Sequence, residues 1–94
     1  MAIRFQMSEQ MMLARLLAEE VAKCEGMVRW AEENQHSNIL NSNKLRIKEC
    51  ISIKDKLVGA MFLSSQSQAI AFDRDYEHYL TAMLANSGRA AQNA

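Results

Sequence analysis

Proline is absent from this 94-residue chain, and its three glycines stand far apart. Proline breaks helices by removing a backbone N–H and clashing with the preceding turn, so without it helix can run wherever apolar spacing supports it. A phosphate-cradling loop needs clustered glycines to let backbone N–H groups approach the anion. Gly26, Gly59 and Gly88 are isolated, so no nucleotide site is expected. Cysteine is scarce as well. Cys24 and Cys50 are too few for the disulfide framework of a small secreted domain and read as buried thiols. With His36 and His78 they make neither a Cys-x-x-Cys nor a paired-histidine helix motif, so no metal and no cofactor are expected.

Two further absences bear on partners. Eleven basic and eleven acidic side chains cancel, which removes any long-range pull toward nucleic acid, anionic lipid or an acidic substrate. Net neutrality also favours self-association. The longest uninterrupted apolar run, 57–63, includes Gly59 and falls far short of the ~20 residues that span a bilayer. The opening MAIRFQMSEQ lacks the apolar core of a secretory signal, so a cytoplasmic location and no membrane association are expected.

What is present is helix-period apolar sequence in three stretches, which predicts an all-α single domain of three helices: a long antiparallel hairpin with a shorter C-terminal helix across it. Residues 1–7 alternate Ile3, Phe5 and Met7 with Arg4 and Gln6, a period-two arm that packs on its own helices, adds to a partner or stays a loose tail. The first helix is expected over 8–34, with Ser8 as N-cap. Its stripe is Leu13, Leu17, Val21, Cys24, Val28 and Ala31, and Met12, Leu16, Met27 and Trp30 form a second ridge that a third element is expected to cover. The segment NQHSNILNSN is rich in side chains that compete with the helical backbone, which places the turn at 34–41, with Asn41 as cap and Leu40 and Leu45 as hydrophobic staple. The second helix follows over 42–64, with Ile47, Cys50, Ile51, Ile53, Leu57, Val58 and Met61 on one face. A polar break at 64–68 precedes the third helix, 67–87, with Ala69, Phe72, Tyr76, Tyr79, Leu80 and Met83 as its stripe and Gly88 as C-cap before a frayed tail, 88–94. A kinked continuous helix from 42 to 87 is the alternative.

Charge favours the hairpin. The first helix sets six glutamates against Arg15, Lys23 and Arg29, and the second sets five bases against Glu49 and Asp55. Folding back about a 34–41 turn brings Glu20 level with Lys54, each on an apolar stripe, so these two are expected to form a structural ion pair that fixes register. Lys54 snorkelling to solvent, or reaching an acid on a partner, are the other readings.

Chemistry is poorly provided for. Asp73-Arg74-Asp75-Tyr76-Glu77 opens like a calcium loop, but His78 replaces the sharp-turn glycine and Leu84 the terminal glutamate. No histidine is placed to activate Cys24 or Cys50, and no second acid shares the stripe of Glu20, so neither an enzyme nor a small-molecule substrate is expected. The bases of the second helix disperse around it rather than forming one groove-reading face, which disfavours nucleic acid and leaves a small nucleic-acid-binding regulator as the runner-up. What remains is apolar surface that a small monomer struggles to hide: Met7, Met11, Met12, Trp30, Phe62 and Leu63. Methionine suits adaptable contacts, and tryptophan anchors interfaces. The expectation is a protein-binding adaptor, inhibitor or assembly factor that meets itself, as a homo-oligomer, or a larger protein.

Overall fold

The computed structural model describes the backbone of residues 5–93 and the side chains of residues 5–86. It contains three helices, α1 (Met7–Glu33), α2 (Ser37–Ser64) and α3 (Gln66–Asn93), each packed on the other two. The fold is therefore all-α, with three helices. The radius of gyration is 15.1 Å, against about 12 Å for a compact chain of this length. The 45 × 27 × 15 Å extents describe an elongated body with a core one side chain deep.

That core is narrow and specific. Ala14, Ala18, Met61, Ala69, Phe72 and Tyr76 form one buried cluster, flanked by Phe5, Leu13, Leu17, Leu57, Val58, Tyr79, Leu80 and Met83. On α1 the most deeply buried positions are alanines, with Leu13 and Leu17 only half-buried beside them. Small residues on this line let the α1 backbone approach closely enough for Phe72 and Met61, the two largest fully buried side chains, to fill the space between helices. Burying each such side chain is worth about 1.5–3 kcal/mol.

The turns differ from expectation. Helix α2 begins at Ser37 rather than 42, because the Asn/Ser segment folds its polar groups onto the helix itself. Ser42 Oγ and Asn43 Nδ2 both donate to the Ile39 carbonyl, at 3.2 and 2.8 Å. The N-cap is His36, whose Nδ1 accepts from the Ile39 N–H at 3.4 Å, so the Asn41 cap with its Leu40–Leu45 staple does not form. Helix α1 ends in a Schellman arrangement: His36 N–H donates to the Ala31 carbonyl at 2.8 Å and Gln35 N–H to the Glu32 carbonyl at 3.4 Å. The left-handed residue that this motif requires is Gln35, at φ 53°, where glycine is the usual occupant.

Between α2 and α3 the chain does break, at Ser65 alone, whose extended backbone (φ −159°, ψ 112°) ends one helix while its Oγ accepts from the Gln68 N–H to start the next. At its other end α3 continues through Gly88 to Asn93, so Gly88 is not a C-cap and the helix is longer than the expected 67–87. The N-terminal arm lies outside the described residues up to residue 4. Its end is tied down: Phe5 packs on the core, and its carbonyl accepts from Gln68 Nε2 at 2.7 Å. Gln10, the one buried polar side chain described, donates to the Gln68 carbonyl at 3.3 Å. Met7, expected in the arm, is the first residue of α1, which opens with a capping box between Gln6 and Glu9.

The left-handed conformation at Gln35 costs a side-chain-bearing residue about 1–2 kcal/mol relative to glycine. Replacing Gln35→Gly should therefore raise the stability measured by urea denaturation by roughly 1 kcal/mol, less the added backbone entropy of the unfolded state. A fall in midpoint would show that the α1–α2 turn does not depend on this conformation.

Candidate protein-interaction surface

The six residues expected at an interface are all exposed, but they do not form one patch. Met7, Met11 and Met12 lie in the first two turns of α1, and Phe62 and Leu63 close α2, at the end of the bundle where the Gln10–Gln68–Phe5 hydrogen bonds tie α1 to α3. Trp30 sits in the last turn of α1 with its ring 6.0 Å from that of His36. At 1.5 Å of rise per residue, Met12 and Trp30 are about 27 Å apart along the helix.

What joins these ends is the second ridge of α1. Met12 (63% exposed), Leu16 (52%), Met27 (37%) and Trp30 (45%) all face away from the core. The expectation that a third element covers this ridge is not met, because α2 and α3 pack on either side of the alanine line and leave the far face of α1 open. Leu16 is the pivot of two grooves. One, between α1 and α2, is lined by Leu13, Leu16, Leu17, Glu20, Arg46 and Ile53 among others. The other, between α1 and α3, is lined by Met11, Met12, Arg15, Leu16, Glu19 and Tyr79 together with Ser8. Met7 and Met11 also edge a further depression between α1 and α3 with Ser67, Gln68 and Ala71.

Helix α2 adds apolar exposure that its wheel does not foretell. Of its expected face only Cys50 and Met61 are buried, whereas Ile51 and Ile53 are exposed along with Leu45. The broad apolar arc on α2 is wider than the strip that α1 and α3 together can cover.

The Glu20–Lys54 ion pair does not form. Starting α2 more than a turn early shifts its register against α1, and Glu20 meets Arg46 instead, with Oε1 3.2 Å from Nε. Lys23 approaches the other oxygen of Glu20 at 4.0 Å. Lys54 turns to the opposite side, where its Nζ lies 3.1 Å from Asp73 of α3, 3.2 Å from Asp55, and 5.2 Å from the centre of the Tyr76 ring. Its side chain is only 14% exposed, so neither snorkelling nor contact with a partner's acid describes it. The residue pins α2 to α3 rather than to α1. The acid it chose, Asp73, was legible only as part of a broken calcium-loop pattern.

The remaining polar chemistry is muted. Cys24 and Cys50 are free, buried thiols, with Cys24 Sγ directed at Glu20 Oε1 at 3.9 Å. Burial pushes both thiols above their ordinary value of 9.0, and the nearby Glu20 charge adds to the effect. His36 is engaged as the α2 cap, and His78 is exposed with its ring 6.1 Å from that of Tyr79. Among the described residues no three His, Cys, Asp or Glu side chains converge as metal ligands would, and no helix is long and apolar enough to cross a membrane. Set against protein-family models, curated proteins and solved structures, the chain matches none of them.

The titrating groups of the core act in one direction. Burial raises Tyr76 above 10.0. Burial works to lower Lys54, but its hydrogen bonds to Asp73 and Asp55 outweigh that and leave it raised above 10.5. Each of these groups, like the two thiols, holds its proton more tightly folded than unfolded, so stability is full below the unfolded values and is lost as pH rises through the folded ones. Thermal melts should hold a steady midpoint up to pH 9.0 and decline above it. Replacing Cys24→Ala together with Cys50→Ala should delay the onset of that decline to above pH 10.0. An unchanged onset would show that the thiols do not ionise on unfolding in this range.

Proposed function

We propose that this protein acts without catalysis, as a small adaptor, inhibitor or assembly factor that occludes or scaffolds another protein through the open face of α1. This reading is carried by the outward face of α1, about 27 Å from Met12 to Trp30, where the exposed apolar pairs Met12–Leu16 and Met27–Trp30 flank the charged Glu19 and Lys23 and two grooves meet at Leu16. Exposed apolar clusters of this kind favour a binding site, because leaving them in water forgoes about 25 cal/mol per Å² that a partner recovers. The mix of methionine with tryptophan supplies adaptable contacts around a rigid anchor. Met7 and Met11 extend this surface at one end. Phe62 and Leu63 give α2 a separate apolar end. A cytoplasmic setting suits two free thiols.

The runner-up, a nucleic-acid-binding regulator built on α2, draws less support from the arrangement of its bases. Arg46 and Lys54 are engaged by carboxylates of the chain itself, and of the three exposed lysines Lys44 and Lys48 share one flank of the helix while Lys56 lies on another. Their dispersion gives no stripe to follow a phosphate backbone.

Both readings yield to one pair of measurements. Affinity capture from cells of the source organism should recover a discrete partner with the wild-type chain and lose it with Leu16→Glu and with Trp30→Glu, two exposed positions whose change leaves the helical circular dichroism intact. Recovery of the same partner by both variants would reject the α1 face as the site. A titration with duplex and single-stranded DNA should show no binding at low salt, while affinity that falls steeply with added salt would favour the runner-up.

A further inference from the structure

The outward residues of α1 are spaced the same from either end and complement one another across the centre, and we infer from this that a second copy of the chain covers the face, α1 against α1 in antiparallel orientation about a twofold axis near Val21. The inference rests on the reading of this face as an interaction surface and names its occupant. The outward residues Met12, Leu16, Glu19, Lys23, Gly26 and Trp30 follow steps of four, three, four, three and four, the spacing of a coiled-coil seam. Turning a second α1 end for end about Val21 sets Met12 opposite Trp30, Leu16 opposite Gly26, and Glu19 opposite Lys23, and the twofold axis makes each contact twice.

Each layer is complementary. At the ends, the flexible Met12 side chain meets the indole of Trp30. In the next layer the branched Leu16 faces the hollow left by a glycine, with Met27 beside it. The space over Gly26 is open within the single chain, where an added Cβ would meet nothing within 4 Å. At the centre a carboxylate faces an ammonium on both sides of the axis. Glu19 is already oriented by Arg15 at 2.9 Å, while Lys23 is 74% exposed and approaches Glu20 at 4.0 Å.

Charge also selects the orientation. A parallel pair would set Lys23 against Lys23 and Glu19 against Glu19 in the seam, which repel, whereas the antiparallel pair matches opposite signs. On its rim the antiparallel arrangement brings Arg15 toward Arg29 and Glu20 toward its own counterpart. Arg15 is neutralised by Glu19 and Glu20 by Arg46 within each chain, so these approaches are screened. The zero net charge of the chain adds no general repulsion between copies.

Light scattering or sedimentation equilibrium on the full chain tests the pairing. The wild type should show twice the 10.7 kDa chain mass. E19K alone puts four lysines in the seam and K23E alone four glutamates, so each should run at the mass of one chain while keeping wild-type helical circular dichroism. Mixed in equal amounts the two variants should regain the double mass, and so should a chain carrying both E19K and K23E. That rescue separates a broken seam from a broken fold. A wild-type mass of one chain at the highest soluble concentration would overturn the pairing, and so would a double mass that E19K and K23E leave intact. A single-chain result ends this inference alone, since capture of a different protein through Leu16 and Trp30 is read independently.

Discussion

Everything in this molecule is arranged around the close approach that Ala14 and Ala18 permit. With no side chain beyond Cβ on that line, the α1 backbone comes near enough for Phe72 and Met61 to reach into the same space and exclude water from it. Larger residues there would force the helices apart and open voids that forfeit dispersion contacts. The alanines thus decide which side of α1 is inside. Once that side is chosen, Leu13 and Leu17 fall on one flank, Met11 and Arg15 on the other, and Met12, Leu16, Met27 and Trp30 have nowhere to go but outward.

This explains what could and could not be read from the amino acids. The three helices, the break at Ser65 and the stripe of α3 were legible because Phe72, Tyr76, Tyr79, Leu80 and Met83 recur at one period with no competing face. The inner line of α1 was harder, since leucines outweigh alanines in any apolar count and draw the eye to the flanks. The α1–α2 turn was misplaced for a different reason. Asn and Ser favour turns by offering the backbone alternative hydrogen bonds, but Ser42 and Asn43 spend theirs on a carbonyl of the same helix, which removes the competition. A left-handed Gln35 then closes the link in three residues, and no composition rule points to glutamine there. Of the candidate surface, the exposure of the six apolar residues was legible as a surplus over what one core can bury, but the open ridge that runs between the two ends of α1 depends on which face the alanines turn inward.

The charges followed the register rather than the helix totals. An acidic first helix and a basic second one do lie side by side, and Arg46 with Glu20 realises that complement. Lys54 shows the limit of such bookkeeping. It sits on the side of α2 that α3 approaches, so a half-exposed Asp73 and the Tyr76 ring receive it, and the net attraction between α1 and α2 does not enter. Local geometry outweighs net charge because attraction at 3 Å in a partly dry site exceeds anything a screened total can supply across a Debye length. The consequence is that Arg46 ties α2 to α1 and Lys54 ties it to α3.

A core this thin has a further implication for the open face. Single domains of this size retain only about 5 to 15 kcal/mol of net stability, and Met12, Leu16, Met27 and Trp30, between 37% and 63% exposed, realise only part of their burial within one chain. The exposed parts of these side chains add nothing to the fold of a single copy. The same holds for Gly26, which weakens a helix interior and relieves no contact in the single chain. Such positions are where local preference and fold stability disagree. On α1, Met12, Leu16, Gly26 and Trp30 share the outward face and are spaced evenly about Val21.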